Sequence, residues 1–117
     1  MSETVACSGL AVYERAVEAA GIAIFLAMKV PAPLKPIADQ LIRSAASVPA
    51  NLAEGHGRTG RDRAHLWRIA YGSAKETDSH LRLLIAAGAA NRERSEEAIR
   101  LFGLVRAMLW RLLHPES

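Results

Sequence analysis

The chain has 117 residues, half of them hydrophobic but only 5% aromatic, with one cysteine and a formal charge of +3. That is enough chain for one domain with a real core and no covalent staples. An alanine-rich, aromatic-poor composition favours closely packed helices over a sheet. No charge-free apolar run approaches 18 residues, so no membrane span is expected. Residues 5–30 lack the basic start of a secretory signal, because Glu3 precedes the apolar part and Arg15 and Glu18 interrupt it. A cytoplasmic location is the expectation. Cys7, alone near one end, reads as an incidental thiol.

The first helix is expected to begin at Ser8 or Gly9, with Leu10, Tyr13, Val17, Ala20, Ile24 and Ala27 or Met28 as the stripe facing a core. Gly21 weakens that helix, and close approach of a neighbour would explain it. Pro31, Pro33 and Pro36 mark the connection and the first turn of the next helix. The second helix is predicted from about residue 34 to 56, with its apolar line at Leu34, Ile37, Leu41, Ala45, Val48 and Leu52. Pro49 lies inside it. Proline has no N–H for residue 45 and presses on that carbonyl, so a kink over 45–49 is expected, with Ser44 and Ser47 placed to serve the freed carbonyls. Gly55 and Gly57 are expected to end the helix in the left-handed conformation.

Thr59 reads as the cap of a third helix, with Asp62 near its positive end. That helix should run to about Gly88, with a core line of Leu66, Ile69, Ser73, Glu76 or Thr77, His80 and Leu84. Its middle is polar, so Asn51, Glu54, Ser73, Glu76 and His80 are expected to form a buried network between the second and third helices. Arg43 would neutralise a glutamate there. Asn91 to Glu97 reads as a polar turn entering a capped fourth helix, with a stripe of Ala98, Leu101 or Phe102, Val105, Met108 or Leu109 and Leu112. Leu104, Trp110 and Leu113 lie outside the narrowest stripe. An apolar arc this wide suggests burial against another subunit.

The stretch from Leu41 to Arg58 carries a resemblance. Arg43, Ser47, Val48, Pro49, Asn51, Leu52, Ala53, Glu54, Gly55 and Arg58 match the pattern R-x-x-x-S-[IV]-P-x-N-[IL]-A-E-G-x-x-R. It resembles the bacterial four-helix-bundle proteins encoded by intervening sequences inside large-subunit ribosomal RNA genes. Ile69 to Glu76 is similar to that family's I-A-x-G-S-x-x-E. Asp78 departs from the family, which usually has a second glutamate there, and residues 30–36 carry prolines in place of the usual F-P-x-x-E turn. The resemblance implies an all-α, up-down-up-down four-helix bundle assembling as a homopentamer. The accessory variability protein of diversity-generating retroelements is similar in fold, which implies a reverse transcriptase as a protein partner.

Charge supplies the functional candidate. Residues 1–57 carry four basic groups against five acidic ones, and residues 58–117 carry eleven against seven. Arg61, Arg68, Lys75 and Arg82 are spaced by sevens, nearly one line of a helix with steps of about 10 Å. Arg58, Arg63 and His65 thicken its start. A cationic line of this kind follows a phosphate backbone, so non-enzymatic binding of structured RNA or an RNA/DNA duplex is expected, aided by the arginines of the fourth helix. The competing expectation is an oligomeric scaffold or protein-interaction module whose arginines only keep it in solution. Trp67 and Trp110 could stack on bases, though helical spacing makes them core or interface residues first. Glu76 with His80, and Glu54 with His56, do not complete the paired Glu-x-x-His motifs of a di-metal bundle. No serine, cysteine or histidine motif supports hydrolysis. Neither catalysis nor a cofactor is expected.

Overall fold

The computed structural model describes residues 8–115. It is all-α: α1 spans Gly9–Ala27, α2 Lys35–His56, α3 Gly60–Ala86 and α4 Arg92–Leu113, with a short 3-10 turn at Ala32–Leu34. No strand occurs among the described residues. The helices form a prism 44 × 26 × 20 Å in extent. α2 packs on α1 and α3, and α4 packs on the same two. Cys7 lies outside the described residues.

Local chemistry accounts for most helix ends. Ser8 caps α1, its side chain accepting from the Ala11 amide at 3.1 Å. Pro36 occupies the first turn of α2, where its missing N–H leaves no bond broken. Asn91 caps α4 by accepting from the Arg94 amide at 2.8 Å. α3 closes in a Schellman arrangement: the Ala89 amide donates to Leu84 O and the Gly88 amide to Ile85 O, both at 2.9 Å, with Gly88 at φ +69°.

Several expectations change. Thr59 stands at the cap position of α3, but its side chain makes no cap hydrogen bond; the turn is made by Gly60 at φ +57°. Gly57 ends α2 at φ −83°, and Gly55 is helical and buried beneath Trp67, so neither glycine is left-handed. As expected, the second helix runs through Pro49 to His56. Ser44 Oγ donates to Leu41 O rather than to the carbonyl of Ala45, and Ser47 Oγ pairs across to Ser73 Oγ at 2.9 Å. Gly21 has no neighbouring atom within 4 Å of a Cβ built on it, so close approach does not explain it.

The core is assembled from unequal contributions. α2 and α4 supply large side chains, Leu41, Val48, Leu52, Phe102, Val105 and Leu109, on the faces their periodicity predicts. α1 presents alanines: Ala16, Ala19, Ala20, Ala23 and Ala27, with Val12 and Leu26. Of the stripe expected on α1, only Ala20 and Ala27 are buried; Leu10 is 58% exposed and Met28 73%. Both faces of α1 are apolar, so periodicity could not choose between them. The small face is inside because the bulk contributed by α2 and α4 leaves room for little more than methyl groups. On α3 the buried line is Trp67, Ala70, Ala74, Thr77, Asp78, Leu81 and Leu84, displaced by one residue from the expected one over most of its length.

Candidate nucleic-acid interface

The displaced core line of α3 decides what its other face shows. Arg61, His65, Arg68, Gly72, Lys75, Ser79 and Arg82 are all exposed and recur at alternating steps of four and three. Residues so spaced lie on one helix face. The line contains four cations, a histidine and two small residues, and no carboxylate. Arg61, Arg68 and Lys75 make no ion pair with any described residue. Gly72 leaves open space between Arg68 and Lys75.

The remaining cations of the candidate set are engaged. Arg82 bonds through Nε to Asp78 Oδ1, yet two thirds of its side chain stays exposed. Arg58 pairs with Glu54 at 3.3 Å, both exposed, an arrangement worth little in water. Arg63 is held more firmly. Its Nε donates to Gly55 O and its Nη2 to His56 O, both at 3.1 Å, and its guanidinium lies 5.4 Å from the Trp67 ring. Arg63 therefore ties off the last carbonyls of α2, leaving fewer of its donors for an anion.

The expected polar network is divided. Asn51 Nδ2 donates to Ser47 O and Ser47 Oγ at 2.9 Å, and Ser47 reaches Ser73, so Asn51 and Ser73 are joined through a serine. Thr77 Oγ1 lies 2.9 Å from Ser44 Oγ and 2.8 Å from Ser73 O. These small hydroxyls, not carboxylates, fill the α2–α3 seam. Glu54 and Arg43 are exposed, and Glu76 faces outward with His80 Nε2 at 3.3 Å. The one-residue rotation of α3 is the cause, since it turns Thr77 inward and Glu76 outward. No group of three or more His, Asp, Glu or Cys side chains among the described residues could hold a metal ion.

The buried acid of the fold is Asp78, read from the sequence only as a departure from a pattern. It receives Arg82 from its own helix and Arg106 Nη2 from α4 at 3.1 Å. Arg106 Nε is buried without a partner among the described residues. The i, i+4 spacing of Asp78 and Arg82 was legible; the contact across to α4 was not.

The two tryptophans part company. Trp67 is buried, its Nε1 donating to Leu52 O at 3.4 Å, whereas Trp110 is half exposed and stacked on His114 with centroids 3.7 Å apart.

The model of the family described as 23S rRNA-intervening sequence protein matches residues 8–111. The chain belongs to that family. Among solved structures, a protein of unknown function from the S23 ribosomal protein family of Bacteroides thetaiotaomicron is similar. It is 25% identical, with a TM-score of 0.81, over 90% of this chain and 96% of that one. No curated protein matches. For this intervening-sequence family member, the family match spans all four helices, so the α3 face belongs to the shared fold and is not an appended segment. No helix among the described residues is long and apolar enough to cross a membrane.

Proposed function

We propose that this protein is a non-enzymatic, cytoplasmic, nucleic-acid-binding accessory protein. It works as a homo-oligomeric up-down-up-down four-helix bundle, and the outer face of α3 lies along a phosphate backbone of structured RNA or an RNA/DNA duplex. The observation that carries the reading is the carboxylate-free line from Arg61 to Arg82. Three of its cations have no ion-pair partner among the described residues, so a phosphate need displace no protein carboxylate to reach them. Gly72 and Ser79 between the cations let a backbone come close, and arginine grips phosphate with a planar fork. Antiparallel succession is supported by the α2–α3 contacts: Leu52 meets Trp67, Ser47 meets Ser73 and Ser44 meets Thr77.

Assembly rests on a second surface. Leu10, Tyr13, Val17, Phe25 and Met28 expose an apolar row on α1. A row of this kind calls for a covering surface, and the family resemblance supplies a pentamer as the arrangement to test. The same row favours a second reading, an oligomeric scaffold without a nucleic-acid role. The resemblance to the accessory variability protein extends the proposal to a reverse-transcriptase partner, which co-purification tests.

The test is fluorescence anisotropy with labelled structured RNA and duplex DNA across a salt series, beside an Arg61/Arg68/Lys75→Glu variant. Binding should weaken steeply with salt and vanish in a variant that still assembles. Absence of binding at low salt would leave the scaffold reading. A monomer by light scattering at micromolar concentration would remove the pentamer.

A further inference from the structure

An indole half exposed on a helix near its end is costly to leave in water, and Trp110 is 50% exposed on the last turn of α4. Its surroundings are ordered. The His114 ring lies over it with an interplanar angle of 26°. His114 Nδ1 is 3.0 Å from the Trp110 carbonyl, and the His114 amide donates to the same oxygen at 2.9 Å. A carbonyl only accepts, so Nδ1 carries the proton, and two hydrogen bonds to one oxygen hold the imidazole against the indole. Tyr71 closes a second side, its centroid 6.5 Å from that of Trp110 and tilted by 50°. The aromatic shelf therefore exists before any ligand arrives, and binding there need order few side chains.

The shelf borders the cationic line. Tyr71 stands on α3 one turn from both Arg68 and Lys75, at i−3 and i+4, so the rings and the two cations share an edge of the molecule. Arg68 and Lys75 are separated by about 10 Å along the helix. A π-face flanked by cations without carboxylate partners complements a base between two phosphodiesters, and does not complement an apolar helix of a second copy.

We infer that Trp110, stacked on His114 and edged by Tyr71, seats an unpaired base of a strand whose phosphates meet Arg68 and Lys75. The inference rests on the phosphate-contact reading of α3 and narrows its ligand to nucleic acid with unstacked nucleotides. Bases inside a duplex present no free face; those of loops and single strands do, and proteins take them on aromatic rings.

The experiment uses the wild-type protein with a short oligoadenylate and with a blunt RNA duplex of equal length, following tryptophan emission and anisotropy together. The single strand should quench emission and the duplex should not. Trp110→Ala should weaken single-strand binding roughly five- to hundredfold while leaving duplex binding unchanged. Trp110→Phe should keep part of the affinity and lose the quenching, since Trp67 is buried. Salt-dependent binding of both ligands with unchanged emission and a normal Trp110→Ala variant would overturn the base seat and leave the phosphate reading standing. Binding of neither ligand at low salt would overturn both. A Trp110→Ala variant that loses its assembly state would assign the indole to a subunit contact and overturn the inference.

Discussion

Two glycines inside helices should respond to alanine with opposite signs. A Cβ on Gly55 would stand 2.6 Å from both Cδ1 and Nε1 of Trp67 and 3.4 Å from Arg63 O. Carbon contacts are comfortable at about 3.5–4.0 Å, so roughly 1 Å must be cleared. The indole cannot retreat freely. It is buried, its N–H is committed to Leu52 O, and Arg63 covers it while bonded to the end of α2. Overpacking of this kind costs about 1–3 kcal/mol. The better helix propensity of alanine returns at most about 1 kcal/mol, and less in the last turn of a helix. Gly55→Ala should therefore destabilise by about 1–2 kcal/mol, a fall in Tm of roughly 4–8 °C for a chain of this size. Gly72 is helical, exposed and free of neighbours within 4 Å. Gly72→Ala should stabilise by about 1 kcal/mol and raise Tm by roughly 4 °C. Both are read from circular dichroism melts at one protein concentration, because self-association of any extent makes Tm depend on concentration. If Gly55→Ala raised Tm as Gly72→Ala does, the close packing of Trp67 on α2 would be wrong.

Other substitutions probe the remaining features. Asp78→Ala strands Arg106, whose Nε is already buried without a partner, and should cost about 2–3 kcal/mol by urea unfolding. Thr77→Val keeps the shape of the seam but removes the hydroxyl between Ser44 and Ser73, so a loss of about 1–2 kcal/mol is expected. Arg63→Ala uncaps the end of α2 and should lower Tm measurably, by the equivalent of about 1–2 kcal/mol. Glu76→Leu should stay within about 0.5 kcal/mol, because Glu76 is exposed and its contact is a surface pair with His80. For a B-form DNA duplex, Arg68→Ala alone should weaken binding without abolishing it and reduce the slope of log affinity against log salt by about 0.9, if that cation meets one phosphate.

The sequence by itself determined the four helices and several of their ends, although residues 92–97, expected as a polar turn, are the first turn and a half of α4. Caps, prolines and glycines act over three or four residues, so Ser8, Pro36 and Gly88 could be read without knowing what lies opposite. The core faces of α2 and α4 were equally legible, because each carries large apolar side chains on one side only. Tertiary structure decided the rotation of α1 and α3. α1 is apolar on two faces, and only the volume already filled by Leu41, Leu52, Phe102 and Leu109 puts its alanines inside. On α3, lines through Leu66 and through Trp67 fit helical periodicity about equally. The void above Gly55, which admits an indole, and the hydroxyl of Ser44, which meets Thr77, select the second. That rotation exposes Glu76, buries Asp78 and leaves Arg61, Arg68 and Lys75 without carboxylate partners among the described residues. A cation's availability depends on what the rest of the chain brings within about 4 Å of it, and periodicity along one helix carries no record of that.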